Sequence, residues 1–374
     1  MNLKMICVFT AIWFSFSFGD VIAQPVNIAI GTCGDLSGSA SAYGKSVVDG
    51  AILAVEELNG KGIRGLNATF SLISKDDKQL EVITSEEVTS LVYDENVLAV
   101  IGTTDSGCTH VAARTALKSK TPLLATVATD PALSRLGNPY FFRNLADDLI
   151  QGSRLVEYIV KVKGLRNICI LHINTRYGKG GAKVVSESAR TFNGRVTMVE
   201  PYERDQKDFK ALVDKVKRGS HDAIIIWGLY SEGAALIKEL RASGIKTAVF
   251  GPDGLATPAF IALAGEAANG ITVTWPFDQQ KKSDPVVKSF VEGYVKRFGI
   301  EPDSFAAHSY DAVYLIAQAA SYGGPTKEGI RRGLVFNKGF HGVSGILSFD
   351  NTGNSTLPVA LAVIDKGAFS ILGN

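Results

Sequence analysis

Four cysteines in 374 residues are too few to staple a fold together. Charge of one sign is also lacking: 39 Lys and Arg face 37 Asp and Glu, a formal net charge of +2. The chain therefore carries no broad field that would draw nucleic acid or an anionic membrane. Its short basic stretches, such as Lys215 to Arg218, read as solvated helix faces. The five histidines, His110, His172, His221, His308 and His341, have no metal-ligand spacing among them. There is no G-x-S-x-G elbow, no H-E-x-x-H, no C-x-x-C and no P-loop. The turn Gly31-Thr32-Cys33-Gly34 lacks the G-x-G-x-x-G spacing of a dinucleotide site. No catalytic residue, metal or cofactor is expected. Asp105 and Asp253 are the only titratable pair that an enzyme reading could use.

Long apolar runs are confined to the start of the chain. Met1 to Ala23 carries Lys4, the apolar stretch Met5 to Phe18 and the cleavage-like Val21-Ile22-Ala23, which together read as an export signal. The stretch is shorter than the roughly 20 apolar residues needed to span a bilayer. The expected product starts near Gln24, is soluble, and lies outside the cytoplasm. It keeps Cys33, Cys108 and Cys169. Cys169 sits in an apolar strand and reads as a small buried hydrophobe. Cys33 and Cys108 each follow a strand, and either a disulfide or two free buried thiols is compatible with that.

What the remaining chain does have is alternation. Short apolar strands begin at Val26, Ala68, Val97 and Pro122, and again at Asn167, Arg195, Ala223, Ala248 and Ile271. Helical spacing separates them, as in Tyr43 to Leu58 with Val47, Ala51, Ala54, Val55 and Leu58 on one face. Two such blocks predict an α/β protein of two doubly wound parallel-sheet lobes. Ligands of such sheets bind beyond the carboxyl ends of the strands. Small and hydroxylated residues gather there, in Gly34 to Tyr43, Thr103 to Thr109, Ala125 to Pro131, Asn174 to Gly180, Gly228 to Ser231 and Gly251 to Leu255.

Leu36-Ser37-Gly38, Ala42-Tyr43-Gly44, Glu57-Leu58-Asn59-Gly60-Lys61-Gly62, Val100-Ile101-Gly102, Ala128-Thr129-Asp130-Pro131, Tyr177-Gly178, Lys207-Asp208-Phe209, Gly251-Pro252-Asp253-Gly254 and Ser309-Tyr310-Asp311-Ala312 occur in that order. In order and spacing they resemble the leucine/isoleucine/valine-binding proteins of bacterial ABC transporters, which have the type I periplasmic binding fold. The resemblance covers essentially the whole chain after residue 23.

It implies a three-segment hinge near Arg143 to Ala146, Thr274 to Phe277 and Asn354 to Pro358. Lobe 1 would comprise residues 24–144 plus 276–354, and lobe 2 residues 145–275 plus 355–374. Carried over position by position, Ser106, Thr129 and the backbone of Val127 or Ala128 would receive a ligand carboxylate. Tyr230 and Asp253 would receive an ammonium group, and Tyr177 would close over the ligand. Tyr43, Trp275 and Phe305 would wall its side chain.

Two positions depart from the family pattern. Asp253 stands where Glu is usual. Asp105 stands where a small or apolar residue faces the ligand side chain: pointing inward it favours a polar or cationic ligand, pointing outward it only decorates a loop. The implied function is a periplasmic, monomeric solute receptor that captures a small amino acid by hinge closure and delivers it to ABC permease subunits. Receptors for an aromatic carboxylate, an amide or urea, and a sensory receptor with the same clamp, are the alternatives.

Overall fold

The structure, a computed structural model, describes residues 24–281 and 283–373; the export-signal reading of residues 1–23 lies outside the described residues. Two sheets organise it. The first holds β1 (Val26–Gly34), β2 (Ala68–Asp76), β3 (Ala99–Gly102), β4 (Leu123–Ala125) and β5 (Phe141–Arg143) in the order β2-β1-β3-β4-β5. The second contains β6 (Asn167–Ile173), β7 (Arg195–Tyr202), β8 (Ala223–Trp227), β9 (Ala248–Gly251) and β10 (Thr272–Trp275) in the order β7-β6-β8-β9-β10. The two five-strand sets are parallel and wound alike. In each, the strand order reverses beside the first strand, which opens a crevice at the carboxyl ends.

Central strands are apolar without interruption because helices cover both their faces. All five residues of β8 and all four of β3 are buried. The covering helices of the first sheet include α1 (Ser41–Lys61), α2 (Glu81–Thr89) and α3 (Ser106–Ser119). Those of the second include α4 (Asp148–Glu157), α5 (Arg176–Thr191), α6 (Lys210–Arg218), α7 (Tyr230–Ala242) and α8 (Pro258–Ala264). After β10 the chain returns to the first sheet, where α9 (Pro285–Phe298) and α10 (Ser304–Gly323) pack on α1 and α11 (Lys327–Phe336) packs on α10. A hairpin of β11 (Phe340–Gly342) and β12 (Gly345–Leu347) follows. Finally β13 (Ala360–Asp365) joins β10 antiparallel, and β14 (Ala368–Ile371) forms the edge.

The polypeptide thus passes between the sheets three times, through 144–147, 276–284 and 348–359. Arg143 ties the first passage to the third. Its N–H donates to the Gly353 carbonyl at 2.8 Å, and its Nε and Nη2 donate to Asn354 Oδ1 at 3.0 and 2.7 Å. The guanidinium is fully buried, with Asp147 at 3.4 Å as its counter-charge.

Two helices differ from the expected uninterrupted periods. α2 is followed by a π turn, Ser90–Asp94, and α4 by another, Tyr158–Val162. One extra residue per turn shifts the apolar face without ending the helix. Of the two readings for the cysteines, the structure has the free thiols: Cys33, Cys108 and Cys169 are all buried and unpaired. The Cys33 thiol lies 3.8 Å from Asp77 Oδ2.

Candidate functional site

The carboxyl ends of the two parallel sets face each other across a small cavity. It encloses about 20 Å³ open to the centre of a water molecule. Its lining includes Tyr43, Ser106, Val127, Ala128, Thr129, Tyr177, Asp253 and Phe305, eight residues singled out from the sequence.

On the first sheet's side, local geometry prepares for an anion. Asp105 caps α3 by accepting the Cys108 N–H at 3.1 Å, so Ser106 becomes the first helical residue. The first N–H groups of a helix lack partners within it and carry partial positive charge. The loop after β4 contributes Val127 to Thr129. Its carbonyls are drawn away from the cavity: Arg143 Nη1 donates to those of Ala128 at 3.4 Å and Asp130 at 2.9 Å, and the Asp148 N–H donates to that of Thr129 at 3.0 Å. Below them, the His110 Nε2–H donates to Asp130 Oδ2 at 2.7 Å.

On the other side stands Asp253, just past β9 and 3% exposed. Burial pushes its carboxyl up to about 6, against the lowering effect of Gln151 and the Gly254 N–H. Burial also pushes the nearby Asp148 well up, and the charge of Asp253 adds to that. Tyr177, in the first turn of α5, has its hydroxyl buried without a hydrogen-bond partner. A buried carboxylate with no cation of its own is costly. A site that keeps one favours a ligand that brings the positive charge.

Aromatic rings close the remaining wall. Tyr43, on the first turn of α1, sits edge-on to Phe305 with centroids 4.9 Å apart. Its hydroxyl donates to the Gly254 carbonyl at 2.6 Å and accepts the Tyr230 N–H at 3.1 Å, so it links α1 of the first sheet to the loop after β9 and the start of α7 on the second.

Three residues named from the sequence take positions other than those expected. Tyr230 stands behind the wall, its ring against Tyr43 at 5.0 Å and its hydroxyl accepting the Ala42 N–H at 3.3 Å. Leu229, one residue earlier, lines the cavity instead. Trp275 stacks on Phe369 at 4.4 Å, beside the second passage between the sheets and outside the cavity. Asp105 borders the cavity, but its carboxylate neither enters as a ligand group nor hangs free. One oxygen caps α3, and the other meets Arg204 Nη2 from the opposite lobe at 3.2 Å. That engagement removes the argument for a polar or cationic ligand side chain. Thr104, Gly254 and the buried Gln151 were missed. Thr104 and Gly254 adjoin residues that were named, whereas Gln151 looks from sequence like any polar residue of a surface helix.

Among the described residues no helix is long and apolar enough to cross a membrane. No group of three or more His, Cys, Asp or Glu among them is placed to hold a metal.

Residues 27–368 match the periplasmic binding protein family. The Leu/Ile/Val-binding protein of Escherichia coli K12 is 29% identical over 268 residues, 71% of this chain and 72% of that one. LivJ, the branched-chain amino acid transporter substrate binding protein of Streptococcus pneumoniae, solved in complex with isoleucine, superposes with a TM-score of 0.86. It is 31% identical, over 92% of this chain and 99% of its own. A solute binding protein from R. palustris in complex with benzoate shares the fold, with a TM-score of 0.84 at 20% identity over 93% of this chain and 96% of that one. The two like-wound sheets and the cleft between them are thus those of a type I receptor, and the chain belongs to the periplasmic binding protein family, in the Leu/Ile/Val-binding group of ABC-transporter solute receptors, which are not enzymes.

Proposed function

We propose that the protein captures a compact α-amino acid in the periplasm and presents it to an ABC permease. The observation that carries this reading is the opposition across the cavity. A helix N-terminus with Ser106 and Thr129 faces Asp253, a buried carboxylate with no ion pair among the described residues, the more distant Arg143 being paired with Asp147. A carboxylate on the ligand suits the first and an ammonium the second. Tyr43, Phe305, Val127 and Leu229 offer apolar walls to an aliphatic side chain. Residues 24–144 with 276–354, and 145–275 with 355–374, would act as the two moving lobes. A ligand touching both stabilises the closed arrangement only by the difference in its affinity for the two states. The E. coli and S. pneumoniae relatives, named for aliphatic amino acids, support the same class.

A thermal-shift screen tests this. Protein refolded free of carried ligand is screened against aliphatic, polar and basic amino acids, benzoate, acetamide and urea. An amino acid at 100 times its dissociation constant should add about 2.7 kcal/mol. Stabilisation by small aliphatic amino acids, lost in Asp253→Asn, is the expected result. Stabilisation by benzoate or the amides alone would overturn the zwitterion reading.

A further inference from the structure

Gln151 lies on α4, immediately after the first passage between the lobes, and is fully buried. Every polar atom of its amide is engaged. Nε2 donates to Asp253 Oδ2 at 2.7 Å and to the Ala146 carbonyl at 3.0 Å. Oε1 accepts the Asp253 N–H at 3.2 Å and the Thr274 hydroxyl. These partners leave the amide a single orientation. Turned over, it would set its oxygen against a carboxylate and a carbonyl, and its NH₂ against the Asp253 N–H.

The partners also come from separate places: Ala146 in the first passage, Thr274 in β10 just before the second, and Asp253 in the loop after β9. We propose that Gln151 is the positioning residue that holds the Asp253 carboxylate at one orientation and in its charged form, and joins it to two of the three passages. This rests on reading Asp253 as the partner of the ligand ammonium. A charge-assisted bond from an amide N–H stabilises the carboxylate over the acid. Without it, burial alone would raise the Asp253 pKa beyond its present value of about 6. The other titratable groups facing Asp253 are Asp148 on α4, Arg143 at the end of β5, Tyr177 on α5 and Tyr43 on α1.

The decisive experiment titrates the Asp253 carboxyl carbon by NMR in amino-acid-free protein, comparing wild type with Gln151→Met and Thr274→Val. It is paired with calorimetric L-leucine affinities between pH 5 and 8.5. In wild type, affinity should weaken as pH falls through about 6. Gln151→Met should move the carboxyl midpoint up by about one unit or more. For a one-unit rise its L-leucine affinity should fall about twofold at pH 7 and nearly tenfold at pH 5, and recover toward pH 8.5. Thr274→Val removes one of the two donors that orient the amide, and should shift both readings in the same direction by less. Midpoints equal to wild type in both variants overturn the proposal whether or not L-leucine binds, as does an affinity loss of equal size at every pH. L-leucine binding to Asp253→Asn as tightly as to wild type instead overturns the ammonium reading, leaving the carboxyl titration to decide the role of Gln151.

Discussion

Asp253 shows how a binding group can cost the empty protein stability. Its folded pKa of about 6 lies above the unfolded value of about 3.9. Its contribution to folding is therefore complete below about pH 4 and is lost as pH rises through 6. Two units correspond to about 3 kcal/mol of unfavourable charge burial at neutral pH. Asp253→Asn keeps the shape and an acceptor for Gln151. The ligand-free variant should melt above wild type at pH 7.5, by an amount that shrinks toward pH 4, while losing stabilisation by amino acids. Melting scans across that range check it, and a pH-independent difference would mean the charge is not what costs. Such an exchange of stability for binding is the usual fate of functional residues.

At the mouth of the site, elements rather than single groups set position. Helix α5 begins under the cavity because Thr175 caps it, accepting the Gly178 N–H at 3.4 Å, and because Gly178 lies hard against β6. A Cβ there would stand 1.9 Å from the Ile173 carbonyl oxygen, a backbone atom that cannot swing aside. Gly180, two residues on, meets nothing within 4 Å. Gly178→Ala should therefore cost about 1–3 kcal/mol and displace Tyr177. Gly180→Ala should add up to about 1 kcal/mol through helix propensity alone. Thermal unfolding of the pair separates packing from propensity within one helix, and equal shifts would sink the argument.

The same elements show what the sequence could disclose. β8, Ala223–Trp227, was legible in full as an apolar run between turn residues, and so was α9, which opens with Asp284-Pro285 and ends at Gly299. β5 was not, because three residues hold no period and Phe141–Arg143 is a strand only through its pairing with β4. α8, of seven residues, escaped for the same reason. Most of the cavity could be read because its residues follow strand ends. The exchange of Tyr230 for Leu229 was a one-residue matter of where α7 begins, which tertiary contact with Tyr43 decides. Gln151 could not be read at all, since its burial depends on elements 100 and more residues away.

Across the whole molecule, one ion pair joins the two sides of the cleft with no solute between its partners. Arg204, between β7 and α6, reaches over to Asp105 and also donates to the Gln79 carbonyl at 3.1 Å. The pair is partly exposed, with side chains 28% and 10% accessible, so its worth is modest, up to about 1 kcal/mol, and open to screening by salt. Arg204→Ala should raise the dissociation rate of a bound amino acid about two- to five-fold. Raising sodium chloride should speed release from wild type and leave the variant nearly unchanged. Stopped-flow displacement reads both, and equal salt responses would remove Arg204 from any part in closure.

An arginine that grips the opposite jaw without bordering the cavity cannot tell one solute from another. What it governs is patience. In the proposed receptor it would lengthen every visit alike, so the rate at which cargo is surrendered need not follow the selectivity with which it was chosen. Whatever receives the solute could then hasten delivery by competing for one carboxylate at the rim, leaving the chamber itself untouched.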